Sequence, residues 1–279
     1  MALTRRHMVL APVAFAMAGA AARAQVQVSG GQLYEKITEA ARSLAPGGVL
    51  RVAINVGNGV LAQRNAQGEI GGVSVILARA LAARLKLPLT LIPFDGAGAI
   101  FNVGDKDVWD LAFLAIEPER AAKIDFSPPY ITIDGTYLVR IDTPFRNTAD
   151  LDQPGVRIAV GRGAAYDLFL TRTLKRAELR RATTAAASVD IFVAEGLEAA
   201  AGVRQYLVER AQTNPGLRVL AGRFTGIEQA MGVPKGRQAG AAYVSAFIEG
   251  MKASGEVRKA LDATGQASVV VAPMVGGYR

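Results

Sequence analysis

Between Leu50 and Ile116, short apolar runs of strand length alternate with a run of helical period, and that alternation admits few folds. LRVAINV reads as a strand and GVSVILARALAARL as a helix with Val73, Ile76, Leu77, Ala80 and Leu81 inward, while LTLIPF and WDLAFLAI read as two more strands. Strands apolar at nearly every position must be covered on both faces, as crossover helices cover a parallel sheet. Trp109, at the start of such a strand, is assigned to the core. Ahead of this unit, Leu33, Ile37, Ala40 and Leu44 share one face of a short helix that APGG ends. After it, YITIDGTYLVRI is a long β-rich run, and a second strand and helix series follows from VRIAV to LRVL. IEQAMGVPKG reads as a late strand, with helices in AAYVSAFIEGMKASG and EVRKALDAT. Two α/β units result, and the chain passes between them near GTYLVRI and FTGIEQAMG, which puts the expected ligand site in the cleft they form.

Residues 1–24 are set apart. Arg5 and Arg6 precede the apolar MVLAPVAFAMAGAAA, and Ala22 and Ala24 occupy the small-residue places of a cleavage site. This pattern predicts a secretory signal cut after Ala24, and TRRHMVL also resembles a twin-arginine export signal. The remaining chain loses three arginines, so its net charge falls from +8 to +5. It has no Cys, which excludes disulfides and a lipid-bearing cysteine, and no later apolar run nears the roughly 20 residues a membrane span needs. A protein that diffuses freely outside the cytoplasm is expected. The basic stretch LTRTLKRAELRRAT places Arg172, Lys175, Arg176 and Arg180 at helical spacing without interleaved aromatics, which predicts a solvated face and no nucleic-acid partner.

The chemistry open to such a chain is narrow. Its one histidine, His7, lies in the signal, so nucleophile–imidazole pairs and histidine-ligated metals are excluded from the rest, and no metal or cofactor is expected. GDKDVWD lacks the glycine and the late glutamate of a calcium loop. Gly163, Ala164 and Ala165 follow a strand and open a helix, where free N–H groups either receive an anion or form a plain turn. In FLAIEPERAAKIDFSPPY the strand ends at Ala115 and Ile116, and Pro118 starts a helix whose first turn holds Arg120. A cation there opposes the helix dipole, so either Glu117 or Glu119 pairs with it or a ligand selects it.

LRVAIN, GVSVILARALAARLKLPLTLIPFD and WDLAFLAIEPERAAKIDFSPPYITIDGTYLV together resemble the extracellular solute-binding protein family 3, over about residues 47 to 265. The resemblance implies a type II periplasmic-binding fold: two α/β lobes, residues 47–139 with 228–279 and residues 140–227, and a hinge of two crossing segments. It implies a binding protein, not an enzyme, that passes a small, carboxylate-bearing ligand to an inner-membrane ABC permease. The ligand carboxylate is expected on Arg120, assisted by Ala115 and by the backbone of Gly163, Ala164 and Ala165, with Phe113 and Asn58 nearby and Asn55 and Gln63 as further polar candidates. Glu117 replaces a usual hydroxyl residue, and Val203 stands where an acid would meet an amino acid's ammonium. If Arg204 faces the cleft, a ligand with two anionic ends is favoured. Two other readings share the scaffold: a cyclohexadienyl-dehydratase-like enzyme with Glu117 or Glu198 as an acid raised by burial, and a ligand sensor without its own importer.

Overall fold

The computed structural model describes residue 32 and residues 34–275, so the expected signal, residues 1–24, lies outside the described residues. A first helix, α1 (34–44), leads into β1 (Leu50–Asn55), a small hairpin of β2 (Gln63–Arg64) and β3 (Ile70–Gly71), and α2 (Val73–Leu85). Lys86 ends α2 in the left-handed conformation, its N–H capping the carbonyls of Ala82 and Ala83. The α2 face sealed from solvent is Val73, Leu77 and Leu81 together with Val75, Ala78 and Leu85, whereas Ile76 and Ala80 are only partly covered. Next come β4 (Leu89–Phe94), α3 (Ala97–Asn102), β5 (Leu111–Ala115), α4 (Pro118–Ala121), β6 (Ile124–Phe126) and the ten-residue β7 (Ile131–Arg140).

After a 3₁₀ turn at Thr148–Leu151, the second series runs β8 (Arg157–Gly161), α5 (Ala165–Thr173), β9 (Glu178–Ala182), α6 (Ala185–Ala194), β10 (Ala199–Val203), α7 (Arg204–Gln212) and β11 (Leu217–Val219). The chain then returns through β12 (Thr225–Pro234), α8 (Gln238–Ala253), α9 (Glu256–Ala263) and β13 (Val270–Val271). The basic stretch is not one helix face: α5 stops at Thr173 and Arg180 lies on β9.

One sheet runs in the order β4-β1-β5-β12-β7-β10-β8-β9. Its two flanks, β4-β1-β5 and β10-β8-β9, are parallel, as the apolar runs predict. Between them β12 and β7 run antiparallel to each other and to their outer neighbours. Both central strands belong to both halves. Residues Ile131–Gly135 of β7 pair with Thr225–Gln229 of β12, and beyond that β7 pairs with β10 and β11 while β12 pairs with β5 and β6. These are the two expected crossings, formed as long strands.

The main core packs α1, α2, α8 and α9 on the first flank, and smaller clusters fill the other layers. Under α3, Trp109 and Ile100 are buried together, and the indole N–H donates to the Ile100 carbonyl at 3.1 Å. Under α6 and α7, Phe192 and Leu207 pack on Leu138 of β7. Asp110 anchors the outer end of the first flank. Its carboxylate is 1 % exposed and accepts from Arg51 Nε at 2.9 Å and Arg237 Nη1 at 2.6 Å, while Arg237 also donates to the Leu44 carbonyl. The other acids of GDKDVWD are likewise paired, Asp107 with Arg51 and Arg237 and Asp105 with Lys123. Among the described residues no helix is long and apolar enough to cross a membrane, and no cluster of three or more His, Cys, Asp or Glu is placed to hold a metal.

Candidate functional site

In α/β sheets the loops beyond the carboxyl ends of parallel strands are where a ligand finds free backbone and diverging side chains. Here both flanks point those ends toward one another. The ends of β1, β4 and β5 contribute Asn55, Asn58, Asp95 and Ala115, and the ends of β8, β9 and β10 contribute Ala164, Thr184 and Val203. Gln229 and Ile227 of β12 form the floor, and Tyr166 of α5 and Arg120 of α4 close the sides. The enclosed volume is about 60 Å³.

Arg120 arrives by a short route. β5 ends at Ala115, Glu117 is in extended backbone, and Pro118 takes the first position of α4, which suits its fixed φ and missing N–H. The Arg120 side chain is fully buried. Its Nη1 donates to the Ala115 carbonyl at 3.0 Å and its Nη2 to the Gly163 carbonyl of the opposite flank at 2.8 Å, while Nε–H has no partner. Burial pushes its pKa down to about 10 against the pull of Glu117 and Glu119, so the group stays cationic at neutral pH. No carboxylate among the described residues lies within 4 Å of it. A buried charge of this kind costs several kcal/mol unless a counter-ion arrives, and the ends of backbone carbonyl dipoles offset only part of that.

Glu117 takes a partner other than Arg120, the one its spacing offers. It accepts from Arg172 Nη2 of α5 at 2.6 Å, across the gap between the two flanks. The Glu117 side chain is nine-tenths buried and Arg172 is half exposed, so the pair adds about 1 kcal/mol to the approach of the two halves. The glutamate is therefore neutralised by its own chain and does not confront a bound carboxylate.

Other expectations are corrected by the hydrogen bonds. The Gly163 N–H is not open to an anion, because Asp167 Oδ2 accepts it at 2.8 Å, and the Ala164 N–H donates to the Gly161 carbonyl. Ala164 still lines the cavity through its side chain and Gly163 reaches Arg120 through its carbonyl. Phe113 points away from the cavity into the main core, with its ring edge-on to Tyr130 at 5.9 Å. Arg204 does not face the cleft: its Nε donates to Asp134 on β7 at 3.2 Å and its Nη2 to the Gly222 carbonyl. A ligand with two anionic ends therefore has no second clamp there. Gln63 spends its amide on the Gly59 carbonyl outside the cavity. Asn55 and Asn58 do line it, although each side-chain oxygen accepts a local N–H, from Gly57 and from Val60. Glu198 lies at the far end of β10, where hydrogen bonds from Arg157 hold its carboxyl below the usual carboxylate range, the reverse of what a general acid requires.

Gln229 and Tyr166 are site residues that the sequence reading missed. Both are 4 % exposed, and Gln229 Oε1 and the Tyr166 hydroxyl lack a hydrogen-bond partner. The hydroxyl lies over the Gly161 backbone without a well-directed bond to it. A polar residue in the apolar run IEQAMGV is the one signal that marks Gln229.

The halves touch where Gly98 meets Gly163. A Cβ on Gly98 would lie 2.9 Å from the Arg162 carbonyl oxygen and 3.2 Å from Gly163 Cα. Gly98 has an ordinary helical φ, so a larger residue there is unstrained in the open form but props the halves apart. Gly98→Val is expected to fold normally, to raise the radius of gyration with ligand present, and to weaken binding at least tenfold. Small-angle scattering and calorimetry check this, and a variant that still closes on ligand would remove the assigned contact.

Two half-sheets joined by shared strands around a buried, unneutralised cation define a hinged ligand-binding protein. The chain belongs to the bacterial extracellular solute-binding proteins, family 3, whose model matches residues 50–264. It is 25 % identical over 229 residues to a probable histidine-binding protein of Neisseria gonorrhoeae, covering 79 % of this chain and 84 % of that one. It is 30 % identical over 137 residues to the cyclohexadienyl dehydratase of Pseudomonas aeruginosa, but that match spans only 47 % of this chain and 50 % of the enzyme. An arginine-bound substrate-binding protein of an amino acid ABC transporter from Streptococcus pneumoniae shares the fold, with a TM-score of 0.70 at 21 % identity over 81 % of this chain and 98 % of that one.

Proposed function

We propose that this chain captures a small carboxylate-bearing solute in the periplasm and hands it to an inner-membrane ABC permease. The observation that carries this reading is Arg120: a fully buried guanidinium, cationic at neutral pH, with a free Nε–H and no acidic partner among the described residues. A ligand carboxylate supplies the missing counter-charge, and the planar fork suits it better than an ammonium would. Residues 47–139 with 228–279 act as one lobe and residues 140–227 as the other, and closure about β7 and β12 encloses the solute. Export with cleavage after Ala24, by either route that the paired arginines allow, delivers the protein as a monomer. Mass spectrometry of protein recovered from the periplasm and denatured is expected to release a small carboxylic acid. Recovery of a neutral or cationic molecule instead, bound at the cleft, would refute the reading.

The half-length match to a dehydratase gives a second reading, elimination chemistry in the same cleft. It is disfavoured because both acids open to it are engaged, Glu117 with Arg172 and Glu198 with Arg157. Prephenate incubated with the protein is expected to be consumed no faster than in buffer.

A further inference from the structure

We infer that the cleft selects a short monocarboxylate without an ammonium group, of the 2-hydroxy or 2-oxo acid type. This rests on the reading of Arg120 as a carboxylate clamp and adds what the rest of the cavity requires.

A buried –NH₃⁺ brings three donors and a charge, and both need acceptors. The cavity offers the Gln229 oxygen and the Tyr166 hydroxyl as acceptors but no buried acid to meet the charge. The carbonyls of Ala115 and Gly163 already accept from Arg120, and the side-chain oxygens of Asn55 and Asn58 accept from backbone N–H groups. The one acid in the lining, Asp95, is exposed on the loop after β4. The end of β10 presents Val203, an apolar surface, and Ile227 continues it. Arg162 adds positive charge at the rim, as does the amino-terminal end of α6. The buried charge of the lining, Arg120, thus favours an anion and opposes a cation, while the acid Asp95 is exposed to solvent.

The groups left over describe the missing partner. Arg120 Nε–H is an unused donor, the Tyr166 hydroxyl an unused donor or acceptor, and the Gln229 amide has an unused oxygen. A carboxylate oxygen meets the first. On the neighbouring carbon a hydroxyl can donate to the Gln229 oxygen and accept from Tyr166, whereas a carbonyl, which only accepts, is met by the Tyr166 hydroxyl. The volume of about 60 Å³ is roughly four to six times what one water needs, which matches an acid of about half a dozen heavy atoms.

Calorimetry on the mature protein with pyruvate, L-lactate and L-alanine compares three ligands on one carbon skeleton. Pyruvate or lactate is expected to bind at least tenfold tighter than alanine. Alanine binding as tightly as either acid would overturn the inference while leaving the carboxylate clamp in place, and so would tight binding of a dicarboxylate alone. Silence from these ligands and from a panel of amino, mono- and dicarboxylic acids would overturn both. Val203→Asp adds an acid where the apolar wall stands and is expected to shift the ratio at least tenfold toward alanine. An unchanged ratio in a variant with wild-type circular dichroism would count against the charge argument, and the wild-type comparison decides the matter even if that variant does not fold.

Discussion

Arg120→Ala is expected to weaken carboxylate binding by a hundredfold or more, which corresponds to about 2.7 kcal/mol. Charge-assisted hydrogen bonds are worth about 1.5 to 3 kcal/mol each, so the loss of one or two of them accounts for it. Stability should move much less, because the same change removes a desolvated cation from the interior. Arg120→Lys separates charge from shape. An ammonium keeps the charge but not the planar fork that reaches the carbonyls of Ala115 and Gly163 together, and a loss of at least tenfold is expected. Titration calorimetry with the co-purified acid measures both variants. Unchanged affinity in Arg120→Ala would mean that this side chain serves only the two backbone carbonyls.

Asp110→Ala should be the most damaging change outside the cleft, at about 1.5 to 3 kcal/mol, because it takes the one buried carboxylate from Arg51 and Arg237 and leaves them only the exposed Asp107. Burial pushes the Asp110 carboxyl up, but hydrogen bonds from Arg51 and Arg237 outweigh it and leave the group below the usual range. Its contribution is therefore complete above the ordinary carboxylate pKa of about 4 and disappears as the pH falls through its lower folded value. Thermal melts at neutral and acidic pH should show the wild type losing its advantage over Asp110→Ala as the solution is acidified. A constant gap between the two would show that the carboxylate's charge plays no part.

The strand and helix alternation made most of the fold legible, since periods of two and 3.6 are local properties that survive without tertiary information. LTLIPF became β4 and GVSVILARALAARL became α2 with ends within a residue. Other features depend on distant pairing. Glu117 finds Arg172 fifty-five residues away, and nothing in the local spacing of PERA indicates it. Arg204 opens α7 directly after Val203, and its partner Asp134 on β7 lies seventy residues away in sequence, so nothing local aims it. AGAIFN was too short to read as α3, so the contact of Gly98 with Gly163 was invisible as well. The position of Arg120 was legible because the Pro118 helix start and the strand end before it fix its place within six residues.

The order of the sheet has a consequence for how the chain is made. β12 begins at Thr225, yet it lies between β5 and β7, both complete by Arg140. While the chain is being synthesised, β5 therefore keeps one bare edge until β12, about 110 residues further along, has emerged. Pairings this distant in sequence pay their loop-closure entropy before any gain and fold slowly. The half that carries Arg120 is thus delayed by its own topology, and the polypeptide stays pliable through most of its production, becoming a receptor only when β12 is inserted at the centre.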